Sequence, residues 1–133
     1  MGMSRQDLEI TLAVGLGGAL GALTRWGIEE WGSVAQDSFP WPTLLANVAG
    51  ALLMGLVLGR LAHLGEEYAR FVPFVTTGFL GGLTTFSTFA VETVLLADRG
   101  QGALALAYVL STLVLGLLAV RLGLRAATTR EGL

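Results

Sequence analysis

Apolar residues fill four long stretches of the chain, and polar residues gather between them. The stretches run from about Leu8 to Ile28, Thr43 to Ala62, Phe71 to Ala97 and Ala103 to Leu122. Each reaches the roughly 20 residues that a helix needs to cross a bilayer core. The pattern predicts an all-α membrane protein whose residues 1–133 form a single domain of four transmembrane helices, with both termini on one side. The first stretch does not read as a signal peptide, because only Arg5 precedes it, its apolar run is long and three more spans follow. The first connection, Glu29 to Pro42, carries Asp37, two prolines and the interfacial Trp31 and Trp41. His63 to Arg70 mixes both charge signs, and Asp98-Arg99-Gly100-Gln101-Gly102 predicts a tight turn.

The third stretch is too long for one simple crossing, and its middle contains residues that break one. Gly78-Phe79-Leu80-Gly81-Gly82-Leu83-Thr84-Thr85-Phe86-Ser87-Thr88-Phe89 packs three glycines, four hydroxyls and three aromatics together. Backbone that leaves the helix inside lipid must be buried in protein or line a water-filled cavity. The third helix is therefore expected to be discontinuous, broken at the membrane midplane near Gly81 to Thr85. Its freed backbone groups and hydroxyls would form an ion or solute site.

Composition narrows the class. The chain is 53% hydrophobic and 14% charged, with a mean hydropathy of +0.70, far more apolar than a soluble domain. A net charge of −2 and eight scattered arginines, with no lysine, leave no basic stripe for nucleic acid. No cysteine is present for disulfides or thiolate metal sites, and one histidine cannot make a zinc site alone. No nucleophile, base and orienting group cluster together, so no enzyme is expected. Arg5, Arg60, Arg70, Arg121, Arg125 and Arg130 fall on the side of the termini, against Arg99 and Arg25 on the other. The positive-inside rule then puts both termini in the cytoplasm.

Small residues predict close helix contacts. Gly17 and Gly21 stand four apart on the first span, as do Ala51, Gly55 and Gly59 on the second, and such rows let backbones approach in lipid. Polar residues inside a membrane are costly, so each needs a partner or a pathway. Asn47, with Gly50 and Ala51 on its face, either bonds a neighbouring helix or points its donors into a pore. Tyr108, Ser111 and Thr112 share one face of the fourth span and could form a polar track, unless the hydroxyls bond back to their own helix. Phe86 and Phe89 lie one turn apart. Their electropositive ring edges could contact an anion, and ordinary core packing would give the same spacing. Arg25 either snorkels to the interface or draws anions into a vestibule. Glu92 is expected to bond a hydroxyl or backbone group near the pore mouth.

Together these residues resemble a known family. Gly81-Gly82-Leu83-Thr84-Thr85-Phe86-Ser87-Thr88-Phe89, preceded by Pro42-Thr43-Leu44-Leu45-Ala46-Asn47-Val48-Ala49-Gly50 and by Gly17-Gly18-Ala19-Leu20-Gly21-Ala22-Leu23-Thr24-Arg25-Trp26, is similar to the Fluc (CrcB) fluoride channels. The resemblance covers all four spans in order. It implies a passive fluoride channel in a bacterial or archaeal plasma membrane that protects against fluoride toxicity. It further implies an antiparallel, dual-topology dimer with two pores, either a homodimer or a pair with an oppositely inserted homologue. Family roles fall on Asn47 as a pore donor, on Phe86 and Phe89 as ring-edge ligands, and on Ser87 and Thr88 as hydroxyls beside the anion path. The carbonyls of Gly81 and Thr84 from both subunits would hold a structural sodium ion on the dimer axis.

The fourth-span track departs from the serine-rich pattern of that family, since Thr112 and then Gly116 follow Tyr108 on its face. A small proton-coupled, dual-topology transporter is the alternative function. It would need an ionisable residue deep in a span, and only Glu92 could serve. A purely structural membrane protein would explain the glycine rows and leave the Thr-Thr-Phe-Ser-Thr-Phe cluster without a reason.

Overall fold

A computed structural model describes residues 4–32, 38–61, 68 and 71–128. Ala62, the connection His63 to Arg70 apart from Tyr68, Asp37 in the first loop, and Arg130 lie outside the described residues. Among the described residues the chain is all helical, and four stretches are long and apolar enough to cross a membrane: Arg5–Trp31, Trp41–Leu61, Phe71–Asp98 and Gly102–Thr128.

Helix α1, Arg5–Trp31, opens on a capping box. Ser4 Oγ accepts the Asp7 N–H at 3.1 Å, and the Asp7 carboxylate accepts the Ser4 N–H at 3.1 Å. This cap explains why the helix begins before the expected Leu8, since hydropathy marks lipid contact while capping marks the helix end. Helix α2, Trp41–Leu61, carries Pro42 in its first turn, where the missing N–H costs nothing. The last helix, Gly102–Thr128, follows a turn in which Gly100 adopts a left-handed φ of 78°. It runs beyond the expected Leu122 because Gly123 to Thr128 contain no proline to stop it.

The third stretch consists of α3, Phe71–Pro73, a π-helical segment, Phe74–Leu80, then α4, Gly81–Leu83, and α5, Ser87–Asp98; Gly102–Thr128 is therefore α6. The Gly81 N–H reaches Thr76 O, the long spacing that defines the π segment.

Two glycine seams hold these elements. Gly17 and Gly21 of α1 press on the π segment and α4, where a Cβ at Gly17 would collide with Phe74 O and one at Gly21 with Phe79 O. Gly78 and Gly82 answer from the other side: a Cβ at Gly78 would lie 2.8 Å from Val14 O. The second seam joins α2 to α6, where Gly55 has no room beside Val120 O and Gly123 none beside Leu52 O. A compact cluster of Leu44, Leu96, Ala105 and Tyr108, with Phe39, Val48, Phe89 and Leu104 against it, ties α5 to α2 and α6.

Candidate functional site

Helical geometry stops after Leu83. Thr84 turns extended, with φ −82° and ψ 153°, and helicity resumes at Ser87. An interruption strips N–H and C=O groups of their helical partners, and in an apolar surrounding each needs a replacement. Asn47 supplies two of them. Its Oδ1 accepts the Thr85 N–H at 2.8 Å, and its Nδ2 donates to Thr85 O at 3.0 Å. The side-chain amide thus pairs with one residue of the interruption as a neighbouring backbone would.

Thr85 works in the same way through its hydroxyl. Its Oγ1 accepts the Thr88 N–H at 3.1 Å, donates to Thr88 Oγ1 at 3.1 Å and lies 3.3 Å from Ser87 Oγ. It therefore caps the first turn of α5. Thr84 N–H and Thr84 Oγ1 both donate to Leu80 O, at 3.0 Å and 2.9 Å. Arg25 Nε donates to Gly82 O at 3.3 Å, and Arg25 Nη1 pairs with Glu29 Oε1 at 3.1 Å. Arg25 thus braces the end of α4 with a guanidinium that is also paired to a carboxylate on its own helix.

Gly81 O and Thr84 O are among the carbonyls left without their helical donors. In a continuous helix the Thr85 N–H would bond Gly81 O and the Thr88 N–H would bond Thr84 O. Here the first goes to Asn47 and the second to the Thr85 hydroxyl. Carbonyl oxygens of this kind suit a hard cation. Among the described residues no group of three His, Cys, Asp or Glu could hold a metal ion.

An open groove of about 450 Å³ runs past this interruption, lined by Asn47, Gly50, Thr76, Gly81, Thr84, Thr85, Phe86, Phe89, Thr112 and Gly116. Among the described residues no lysine or arginine lines it. The Phe86 ring, 80% exposed, lies 5.9 Å from that of Phe89 between centroids and tilted to it. Phe89 packs at 5.1 Å on Tyr108, which is fully buried.

The fourth-span residues do not act together. Tyr108 turns its hydroxyl to Glu92 Oε2 at 2.7 Å, away from any shared track with its neighbours on α6. Ser111 Oγ bonds back to Ala107 O at 2.6 Å and to Tyr108 O at 3.1 Å. Thr112 faces the groove, and its Oγ1 is buried with no partner among the described residues. Ser87 is exposed at the start of α5, and Thr88 is half-buried beside Thr85.

Thr43 enters as a residue that pattern reading passed over. Its hydroxyl, 1% exposed, donates to Glu92 Oε1 at 2.8 Å, so Glu92 joins α2, α5 and α6 through two hydroxyls. The signal was available: Thr43 stands four residues before Asn47 and shares its face. Thr85 was readable only as one hydroxyl in a cluster, since its capping role depends on where the helix restarts.

The family described as CrcB-like protein, Camphor Resistance (CrcB), matches residues 12–124. A protein of Paracoccus denitrificans named fluoride-specific ion channel FluC is 49% identical over 113 residues, covering 85% of this chain and 90% of the relative. Fluoride-specific ion channel FluC 2 of Symbiobacterium thermophilum is 48% identical over 115 residues, 86% of this chain and 94% of the relative. The FluC of Bordetella petrii is 48% identical over 118 residues, 87% of this chain and 89% of its own length. With four candidate crossings and a match over most of its length, the chain belongs to the CrcB family of multi-pass membrane proteins.

Proposed function

We propose that the chain is a fluoride-selective channel of a bacterial or archaeal plasma membrane that lets fluoride leave the cell passively and so relieves its toxicity. The observation that carries this reading is the groove itself. It offers hydroxyls, an amide and phenyl edges beside an interrupted helix, with no cationic side chain among its described lining residues to trap an anion. Fluoride is small and strongly hydrated, so a selective path must replace its water with many weak donors in a narrow space. Asn47, Thr112 and the edges of Phe86 and Phe89 are the lining, with Thr88 beside it through its bond to Thr85. Ser87 belongs to the outer part of the path and Arg25 stands at its vestibule, while Tyr108 and Ser111, whose hydroxyls are held by Glu92 and by the α6 backbone, stand behind it. Glu92, held by two hydroxyls, is poorly placed for the proton exchange that a coupled transporter would need.

A second subunit is part of the proposal. One chain leaves the groove open on one side and Phe86 largely uncovered. Helical segments of similar length flank Thr84–Phe86, which supports a break near the midplane of the third helix. Two antiparallel copies meeting at that break would close two paths, and a homologue inserted the other way could replace the second copy. Gly81 and Thr84 of both subunits would then converge. Sodium bound to their carbonyls would supply a fixed positive charge and a tie between the subunits.

The rings give a direct test. Phe86→Ile or Phe89→Ile keeps most of the apolar volume and discards the polarised C–H edge. A volume-conserving swap of this kind costs under about 1.5 kcal/mol of stability. Fluoride flux is expected to fall sharply while the size-exclusion profile and thermal stability stay near wild type. Assembled variants that conduct normally would remove the rings from the permeation path.

A further inference from the structure

We propose that Asn47 and Thr85 are the positioning residues of the cation site: side chains that never touch the ion decide that the carbonyls of Gly81 and Thr84 are bare. This rests on the reading of those carbonyls as a sodium site, and it adds the reason why they are available at all. A helix end does not by itself strip chosen carbonyls, because water, side chains or a tightened last turn commonly satisfy them. Here each donor is taken by a named group. The Thr85 N–H is held by Asn47 Oδ1 at 2.8 Å, and the return bond from Asn47 Nδ2 to Thr85 O at 3.0 Å fixes that residue at two points. Being clasped on both sides, the Thr85 peptide groups cannot swing the N–H back to Gly81 without breaking both bonds.

The Thr88 N–H is held by Thr85 Oγ1 at 3.1 Å, and the same hydroxyl donates to Thr88 Oγ1, so its orientation is set as well. The neighbouring Gly82 carbonyl is engaged by Arg25 Nε at 3.3 Å. Three side chains from two helices and the interruption therefore occupy the oxygens of Gly82 and Thr85; of the carbonyls left without helical donors, Gly81 and Thr84 line the groove, whereas Leu83 is buried away from it. Thr84 cannot compete through its own hydroxyl, which points to Leu80 O at 2.9 Å.

The prediction falls on Thr85, whose hydroxyl can be removed at nearly constant volume. In Thr85→Val the Thr88 N–H loses its acceptor and can return to Thr84 O, so one carbonyl of each subunit, two of the four, is withdrawn from the ion. Thermal unfolding of the full chain in detergent, titrated with sodium against N-methylglucamine, reads this without any flux measurement. Wild type is expected to be stabilised by sodium with a saturating dependence. Thr85→Val should shift the half-saturating sodium concentration upward roughly a hundredfold, with one ion–carbonyl contact worth about tenfold lost in each subunit. Thr85→Ser, which keeps the hydroxyl, should behave as wild type. So should Thr11→Val, whose hydroxyl only bonds back to Asp7 O on α1. If Thr85→Val does not assemble, Thr85→Ala removes the same hydroxyl with less bulk and carries the same expectation. Sodium dependence in wild type with an unshifted midpoint in an assembled hydroxyl-free variant would overturn the positioning role and leave the sodium site standing. No sodium dependence in wild type would overturn both.

Discussion

Asn47→Asp is expected to abolish fluoride passage. The substitution leaves the size of the side chain unchanged and replaces the Nδ2 donor, 3.0 Å from Thr85 O, by an oxygen that meets that carbonyl with like polarity. An ionised carboxylate also sets a negative charge on the groove wall. Two like charges about 6 Å apart repel by about 3 kcal/mol at the effective dielectric typical of proteins, a factor of roughly a hundred in occupancy. Anion flux from reconstituted vesicles, read beside the size-exclusion profile, decides the matter. Loss of flux in an assembled protein places Asn47 in the path. Wild-type flux removes it, and loss of assembly assigns it to holding the interruption alone.

Gly21→Val is expected to prevent a folded, monodisperse protein from forming. The α1 backbone at Gly21 lies so close to the π segment and α4 that any Cβ would run into Phe79 O and stand 2.8 Å from Leu83 N. Both obstacles are backbone, so no rotamer change relieves the clash. The cost exceeds the about 1–3 kcal/mol of ordinary overpacking, because α1 must move off the segment that leads into the interruption. Helices in lipid have little hydrophobic drive to repack once their close contact is lost. Gly15→Ala, where a Cβ meets nothing within 4 Å, should behave as wild type in yield and thermal stability. Equal yields of Gly21→Val and Gly15→Ala would show that this seam does not hold the fold.

The contrast between these two glycines shows how far the sequence can be read. The four-residue spacing of Gly17 and Gly21, and of Gly55 and Gly59, identified the contact faces because helical periodicity is local. The partner of each seam, the π segment in one case and α6 in the other, depends on how distant helices meet. Hydropathy located the four spans for the same local reason. Helix ends follow other signals: Ser4 caps α1 before Leu8, and α6 meets no breaker before Thr128.

Inside the candidate site, residue types were legible and their partners were not. Glycines beside paired hydroxyls in an apolar run raise the expectation of a break, and residues Thr84 to Phe86 stand between α4 and α5. Which N–H goes to Asn47, and which to the Thr85 hydroxyl, depends on bonds made across the interruption and across 38 positions of chain. Tyr108, Ser111 and Thr112 share a face by spacing, yet a nearby carboxylate claims the first and a backbone carbonyl the second. Spacing cannot reveal such competition, because the acceptor with the better geometry is contributed by another helix or by the residue's own turn.

The most direct test of the central claim is anion efflux from vesicles reconstituted with the purified chain, comparing fluoride with chloride under equal gradients and with no pH difference across the membrane. The account predicts rapid fluoride efflux, little chloride efflux, and no change when a proton gradient is imposed. Equal passage of both ions, or fluoride movement only when protons move with it, would contradict it.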